Sequence, residues 1–462
     1  MIDLKALRDD PDRFRRGIAR KRASVDIEAL LAVDDQLRAA QTQLQGLVAE
    51  KNQLNKSIGQ LMGRLKKASD EEKAEILAEK ERLQARPTEI KAAEAELTDT
   101  VRDLEAKREA LWLEVPQPPD DDVPDGASAD DNVELSRWSP DGFDLGQPFA
   151  DQRGFAPKTH LELGEALGLF DFARGTKIAG SRSYVMTGQG MRLYQAVLRL
   201  AFDTMIDEHG FTPLSAADLV RHELMVGTGF FPHGRDQVYD IANPTGEYGL
   251  ALTGTGEVGL MGYHQGEVLD ESELPKRYVT VSTCFRREAG AAGKDTAGLY
   301  RVHQFDKVEQ VVICKADEAE SRDWHRKMIG YVEGLLRRLE LPYRLLQCCS
   351  GDLGPKNADM VDIECWMPGR GEDGPDGRPT GAFGETHSAS RLYDYQCRRL
   401  NIRYKAADTG KNAVAHSLNN TVAANPRLLI PLLEIHQQSD GSIALPEALR
   451  PYMGGRERLQ AE

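Results

Sequence analysis

The chain has 462 residues, of which 40% are hydrophobic and 29% charged, the composition of a globular protein with two or three domains and neither a fibre nor a disordered tail. No run approaches the roughly 18 apolar residues needed to cross a bilayer, and the first residues, MIDLKALRDDPDRFRR, carry charge where a signal peptide would be apolar, so a cytoplasmic location with no membrane partner is expected. The formal net charge of −15 argues against an RNA partner until its distribution is read: residues 1–112 hold 22 basic and 22 acidic side chains, and the remainder holds 37 against 52.

From Leu30 the apolar residues fall at Leu30, Val33, Leu37, Ala40, Leu44, Leu47, Leu54, Ile58, Leu61 and Leu65, in steps of three and four that Lys51 alone interrupts. That is a heptad seam. A second seam runs through Ile76, Leu83, Ile90, Leu97, Val101, Leu104 and Leu111. The polar segment ASDEE at 68–72 lies between them, with Ser69 or Asp70 able to cap the following helix. The spacing predicts two long helices folded back as an antiparallel hairpin, with Pro87 kinking or breaking the second near Ala85 and Arg86. Lys51, Lys56, Arg64, Lys66 and Lys67 make residues 51–67 a basic stretch without an acid, running toward the tip of the hairpin. A phosphate backbone fits this stretch, and from charge alone a solvated helix face explains it equally well.

Residues 115–132, VPQPPDDDVPDGASADDN, are too rich in Pro, Asp and Gly to bury a core and read as a linker. The expected division is a helical N-terminal domain over 1–112, a linker over 113–135 and a second domain over 136–462. In that second domain helical patterns such as Met191 to Gly210 alternate with β-rich runs such as YVTVSTCF and VEQVVIC, and neither GxxxxGK nor a strand-following GxGxxG occurs. An antiparallel α+β domain is therefore expected. The six cysteines, at 284, 314, 348, 349, 365 and 397, lack CxxC spacing and a nearby His pair, so reduced, structural thiols are expected.

The segment CFRREAGAAGKDTAGLYRVHQFDKVE, Cys284 to Glu309, is the most informative. As a two-stranded hairpin it would align Cys284, Arg286 and Glu288 on one strand and Arg301, His303, Phe305, Lys307 and Glu309 on the other, joined by a small-residue loop with Lys294 in reach of phosphate. A guanidinium can neutralise charge developing at a phosphorus, a carboxylate can accept from an amino group, and Phe305 can stack on a base. Upstream, LTGTGEVGL sets Thr255 and Glu257 two apart, a hydroxyl and a carboxylate able to hold an ammonium group; alone, such a tripeptide is more readily a plain turn.

This segment resembles the second class II motif of the seryl-tRNA synthetases, and the N-terminal hairpin is similar to that family's tRNA-binding arm. The resemblance implies an α+β fold: an antiparallel helical hairpin plus a class II catalytic domain built on an antiparallel sheet flanked by helices. It implies activation of L-serine with ATP and Mg²⁺ and transfer to tRNA(Ser), and also to tRNA(Sec), by a homodimer with no part for DNA. By the same match Arg286 and Arg427 are the catalytic residues. Thr255, Gly256, Glu257, Glu309 and Thr421 would take serine. Arg286, Arg287, Glu288, Val302, Phe305, Glu385, Thr386, His387, Ser388 and Arg427 would take ATP, with Glu385 and Ser388 on the metal. The chain departs from the family at His387, where serine is usual, at Asn420, in an Asn-Asn-Thr-Val run where bacterial chains usually have Asn-Gly-Ser-Gly, and at Ala217, where the first class II motif has its interface proline.

Overall fold

The structure, a computed structural model, describes the chain apart from residues 245, 247, 291–297, 375, 376 and 462 and the side chains of 84 and 85. It divides into two compact units, residues 24–115 and residues 1–23 with 116–462. The first four helices are α1 (Leu4–Asp9), α2 (Pro11–Arg20), α3 (Ile27–Leu65) and α4 (Asp70–Glu114).

The smaller unit is the antiparallel hairpin of α3 and α4. Its seam follows the heptads: Leu30, Val33, Leu37, Ala40 and Leu61 are buried on α3, and Ile76 and Ile90 on α4. At the turn the Glu72 carboxylate accepts from the Ser69 N–H at 2.9 Å and from its hydroxyl at 2.8 Å, satisfying donors the new helix would otherwise leave open. Lys51, the polar interruption in the seam, meets Glu94 across the hairpin at 2.6 Å. Of the kink or break expected at Pro87, a break is not found, since α4 continues from Asp70 to Glu114. Proline removes one rung of the ladder, and cross-links on either side hold the helix on course: Arg86 reaches Glu50 at 2.9 Å and Glu89 at 3.1 Å, and Ile90 is 1% exposed.

In the larger unit the segment expected to be a free linker is built into the fold. The Gln117 and Asp120 N–H groups donate to the carbonyls of Pro355 and Ala358. The Asp120 carboxylate is held by Arg391, by the Tyr393 hydroxyl at 2.9 Å and by Arg322 at 3.0 Å. Val133–Trp138, partly inside the expected linker, is an edge strand. Residues 1–23 also belong to this unit. The Met1 ammonium donates to the Tyr395 carbonyl at 2.6 Å, and the buried Lys21 Nζ donates to the carbonyls of Gly354 at 2.7 Å and Asn357 at 2.6 Å. Aspartate-rich sequence was a poor guide here because its charges are paired.

The unit is organised on an eight-stranded sheet. Its strands are β1 (Val133–Trp138), β2 (Thr212–Pro213), β3 (Lys276–Phe285), β4 (Gln304–Cys314), β5 (Tyr343–Gln347), β6 (Asp359–Met367), β7 (Ala382–Tyr393) and β8 (His416–Asn425), in the order β1-β5-β6-β7-β8-β4-β3-β2. All neighbours are antiparallel except β2 beside β3. Two helices, α5 (Gly188–Asp203) and α6 (Glu318–Arg338), pack on the core face. Tyr194 of α5 donates to Asp306 at 3.0 Å, and Gln310 and Asn420 donate to the Met328 carbonyl of α6. Val308, Val312, Ile363, Cys365, Ala389 and Ala423 belong to the same buried cluster as Leu193 and Met328. With a side-chain period of two, Phe305, Lys307 and Glu309 must then project to the opposite, open face. All six cysteines are buried and unpaired, and among the described residues no helix is long and apolar enough to cross a membrane.

Candidate active site on the open face of the sheet

Two β-bulges aim the side chains of the open face. Against β4, Val308 pairs with Ala423 and Glu309 with Thr421, so β8 carries an extra residue at Val422. Thr421 and Ala424, three apart, are thereby opposite Glu309 and Lys307, two apart, and share their face. Against β6, Ile363 pairs with His387 and Glu364 with Glu385, so β7 carries its extra residue at Thr386. Glu385 and Ser388, also three apart, oppose Glu364 and Asp362 and look the same way. On regular strands both pairs would be split between faces.

Nine of the expected residues, Arg286, Glu288, Val302, Phe305, Glu385, Thr386, His387, Thr421 and Arg427, line one cavity. Arg287, Ser388, Thr255, Gly256, Glu257 and Glu309 are not among its walls. The proposed two-strand alternation reaches only part of the hairpin. Pairing of β3 with β4 ends at Phe285 opposite Gln304, so Arg286, Glu288, Arg301 and His303 lie beyond the ladder. Glu288 has φ +51°, and this left-handed turn ends the extended run. Other contacts place these groups: the Arg286 N–H donates to the His303 carbonyl at 2.9 Å, and the Arg286 guanidinium lies 5.2 Å from the Phe305 ring centre and donates to the Gly254 carbonyl at 3.4 Å. Glu288 is paired with Arg301 at 3.2 Å. Lys294 lies outside the described residues, and Arg287 is exposed, its N–H donating to the Gln237 carbonyl.

Elsewhere in the cavity lining Arg427 donates to the carbonyls of Tyr300 and Glu385, both at 3.1 Å, and lies 3.4 Å from the Glu385 carboxylate and 4.4 Å from the Tyr300 ring centre. Tyr300, which pattern reading passed over, also donates from its hydroxyl to the Glu385 carbonyl at 3.2 Å. His387 shares its β-face with Ile363 and Cys365, the core side, where its Nδ1 meets the Thr386 hydroxyl at 2.8 Å. Burial pushes this imidazole down to about 3, so it is neutral throughout the physiological range.

Beneath the cavity lies a knot of paired charges. Lys307 Nζ donates to Thr255 Oγ1 at 2.8 Å and meets Glu309 Oε2 at 2.5 Å, with all three side chains nearly or fully buried. Burial pushes Glu309 above the ordinary carboxylate range, against the pull of Lys307. Glu257, expected to face an ammonium group, has its oxygens taken by Lys356 Nζ at 2.7 and 2.8 Å, and by Gln396 and Asn419, each at 2.6 Å. Gly256 is dictated by space: a Cβ there would come within 2.5 Å of Thr280 Cγ2. Lys356 and Gln396 carry no sequence motif, whereas alternation along β4 puts Lys307 beside Glu309 and Asn419 opens the Asn-Asn-Thr-Val run.

Glu385, Ser388 and Asp362 offer only oxygen donors on one face, which suits a hard divalent cation such as Mg²⁺. Burial, with Glu385 beside it, pushes the Asp362 carboxyl well above its usual range, and Asp362 Oδ1 is buried without a hydrogen-bond partner among the described residues. A cation is the ligand these groups fit. Two guanidinium groups lining one cavity with an aromatic ring and carboxylates together suit a nucleoside polyphosphate.

Comparison with known proteins agrees. The Seryl-tRNA synthetase N-terminal domain matches residues 1–115, and the tRNA synthetase class II core domain (G, H, P, S and T) matches residues 239–436. The chain is 41% identical over 460 residues to the serine–tRNA ligase of Deinococcus radiodurans, covering 99% of both, and 40% identical over 461 residues to that of Cutibacterium acnes, covering 100% of this chain and 99% of the relative. Among solved structures it is similar to seryl-tRNA synthetase from Pyrococcus horikoshii complexed with ATP, with TM-score 0.83 and 34% identity over 100% of both chains. The cytoplasmic serine–tRNA ligase of Naegleria fowleri in complex with AMP gives TM-score 0.82 and 26% identity over 98% of this chain and 96% of that one.

Proposed function

This chain belongs to the seryl-tRNA synthetase family of class II, and from that premise we propose that it forms seryl-adenylate from L-serine and ATP and then seryl-tRNA(Ser), with tRNA(Sec) as a second acceptor. In the first step a serine carboxylate oxygen attacks the α-phosphorus and the bond to the β-phosphate breaks, releasing pyrophosphate. In the second a hydroxyl of the terminal tRNA ribose attacks the adenylate carbonyl, AMP leaves, and the hydroxyl proton departs to solvent.

The observation that carries this reading is that Arg286, Phe305 and Arg427 line one cavity. Arg286, close over Phe305, neutralises the α-phosphate while the ring supports the base. Arg427, steadied by the carbonyls of Tyr300 and Glu385, holds the γ-phosphate. Glu288 takes the adenine amino group. Thr421 and Glu309, opposed across β4 and β8, take the serine hydroxyl, the second Glu309 oxygen with Thr255 takes the serine ammonium, and a buried polar pair left unsatisfied by alanine rejects that analogue. Mg²⁺ held by Glu385 and Ser388, with Asp362 alongside, would supply charge neutralisation between the phosphates. No side-chain nucleophile is needed, so positioning and electrostatics supply the rate.

We further place the protein in the cytoplasm as a homodimer, which sedimentation equilibrium tests directly. Serine-dependent exchange of labelled pyrophosphate into ATP tests the chemistry. Exchange with serine and none with alanine is the expected result, and well-folded protein without exchange overturns the assignment.

A further inference from the structure

Lys307 stands between two groups that the serine reading requires. Its Nζ is 2.8 Å from Thr255 Oγ1 and 2.5 Å from Glu309 Oε2, and the residue is 5% exposed. It also lines the cavity that holds Arg286 and Arg427. An amino acid ammonium seeking Thr255 and Glu309 therefore meets a cation already bound to both. A second ion pair lies alongside, Lys356 on Glu257, whose geometry is fixed from three sides by Lys356, Gln396 and Asn419. Two carboxylates and two ammonium groups balance in this buried pocket, and a zwitterionic amino acid adds no net charge to it. Of the two lysines Lys307 is the one that lines this cavity, whereas Lys356 is packed over the Phe230 ring at 4.2 Å.

We propose that Lys307 is a positioning residue for serine: its ammonium holds the amino-group position between Thr255 and Glu309, is displaced by the incoming ammonium, and swings into the cavity to meet the serine carboxylate. The flexible four-carbon stem permits the movement and a point charge requires no fixed fork. Exchange of one cation for another keeps Glu309 ionised at every stage, which matters because an unpaired buried carboxylate takes up a proton. The inference rests on the serine reading.

The test is pyrophosphate exchange by the full chain, with serine and ATP varied separately between about pH 6 and about pH 8.5. In the parent protein the KM for serine should be flat with pH. In Lys307→Met the groups left facing Glu309 are Cys284 from β3, Glu257 from the helix Glu257–Gly262 and Lys356 from the loop before β6. Lys356 is committed to Glu257, so Glu309 protonates, and the serine KM should climb by up to about tenfold per pH unit on the acid side while the ATP KM stays within about twofold. Lys307→Arg keeps the charge and should restore a flat profile. A pH-independent serine KM in Lys307→Met, or an ATP KM rising in step with it, overturns the exchange. If Lys307→Met does not fold, the double variant Lys307→Gln with Glu309→Gln removes the buried charges together; it should show a raised serine KM without slope, and an unchanged KM overturns the proposal. Loss of exchange in the parent protein would instead remove the serine reading itself.

Discussion

Glu257 is a carboxylate with its acceptors occupied, 3% exposed and bound by Lys356, Gln396 and Asn419. A group so committed fixes its neighbours, and breaking one side of a buried ion pair costs more than the pair contributes. Glu257→Gln should lower stability in urea by about 3 to 5 kcal/mol, and adding Lys356→Met should recover part of the loss by removing the stranded ammonium. A stability change below about 1 kcal/mol would mean that Glu257 is free to bind substrate directly. His436 gives a pH signature of a different kind. Its Nε2 donates to the Leu339 carbonyl at 2.8 Å, and burial pushes it down to about 4. The unfolded chain takes up a proton near pH 6.5 and the folded chain does not, so the stability due to this residue is complete above about pH 6.5 and falls as the pH drops toward 4. The loss across that window is about 3 kcal/mol, and His436→Gln should flatten this part of the acid limb in urea titrations. The same residue scale is where sequence reading was least sufficient. Arg286, Glu288 and Arg427 were found by pattern and alternation put Lys307 beside Glu309, yet the contact of Lys307 with Thr255 and the places of Lys356 and Tyr300 depend on which groups a folded chain brings within 3 Å or so, which no local spacing records.

At the scale of elements, the helical hairpin was legible because a seam in steps of three and four has one physical solution. The large sheet was legible as alternating β-rich runs. The bulges at Val422 and Thr386 were not, although they decide which of Glu385, Thr386, His387 and Ser388 face the cavity side. A bulge is a relation between two strands, and one strand's sequence does not contain it. The break at Pro87 fails for the same reason: the intrinsic cost of proline in a helix is about 3 kcal/mol, and the cross-links Arg86–Glu50 and Lys51–Glu94 oppose a break. Pro87→Ala should therefore restore a rung in a helix already formed. Hydrogen exchange on the full chain should show amides within a turn of residue 87 slowed by up to about a hundredfold. Unchanged protection there would mean that the proline carries no local cost.

For the molecule as a whole, charge is divided unevenly along the chain. The negative balance of −15 lies outside residues 1–112, which are neutral overall, so the arm avoids the repulsion that the acidic remainder would exert on a polyanion. Lys56 and Arg64 on α3 and Lys66 and Lys67 in the turn after it are exposed, whereas Lys51 is committed to Glu94. The first four are the groups available to phosphate. Deleting residues 30–112, with a short glycine bridge, removes the hairpin and leaves the eight-stranded sheet and its cavity in the other unit. Serine-dependent pyrophosphate exchange should persist in that truncation while charging of tRNA(Ser) collapses; equal charging would remove the arm from the reaction. Within the intact protein, replacing Lys56, Arg64, Lys66 and Lys67 with alanine should raise the KM for tRNA and leave the KM for serine and ATP alone. If each side chain releases roughly one counterion, the slope of log affinity against log salt should become shallower by up to about 3. A raised KM with an unaltered salt slope would show that the patch acts on the shape of the hairpin instead of on phosphate.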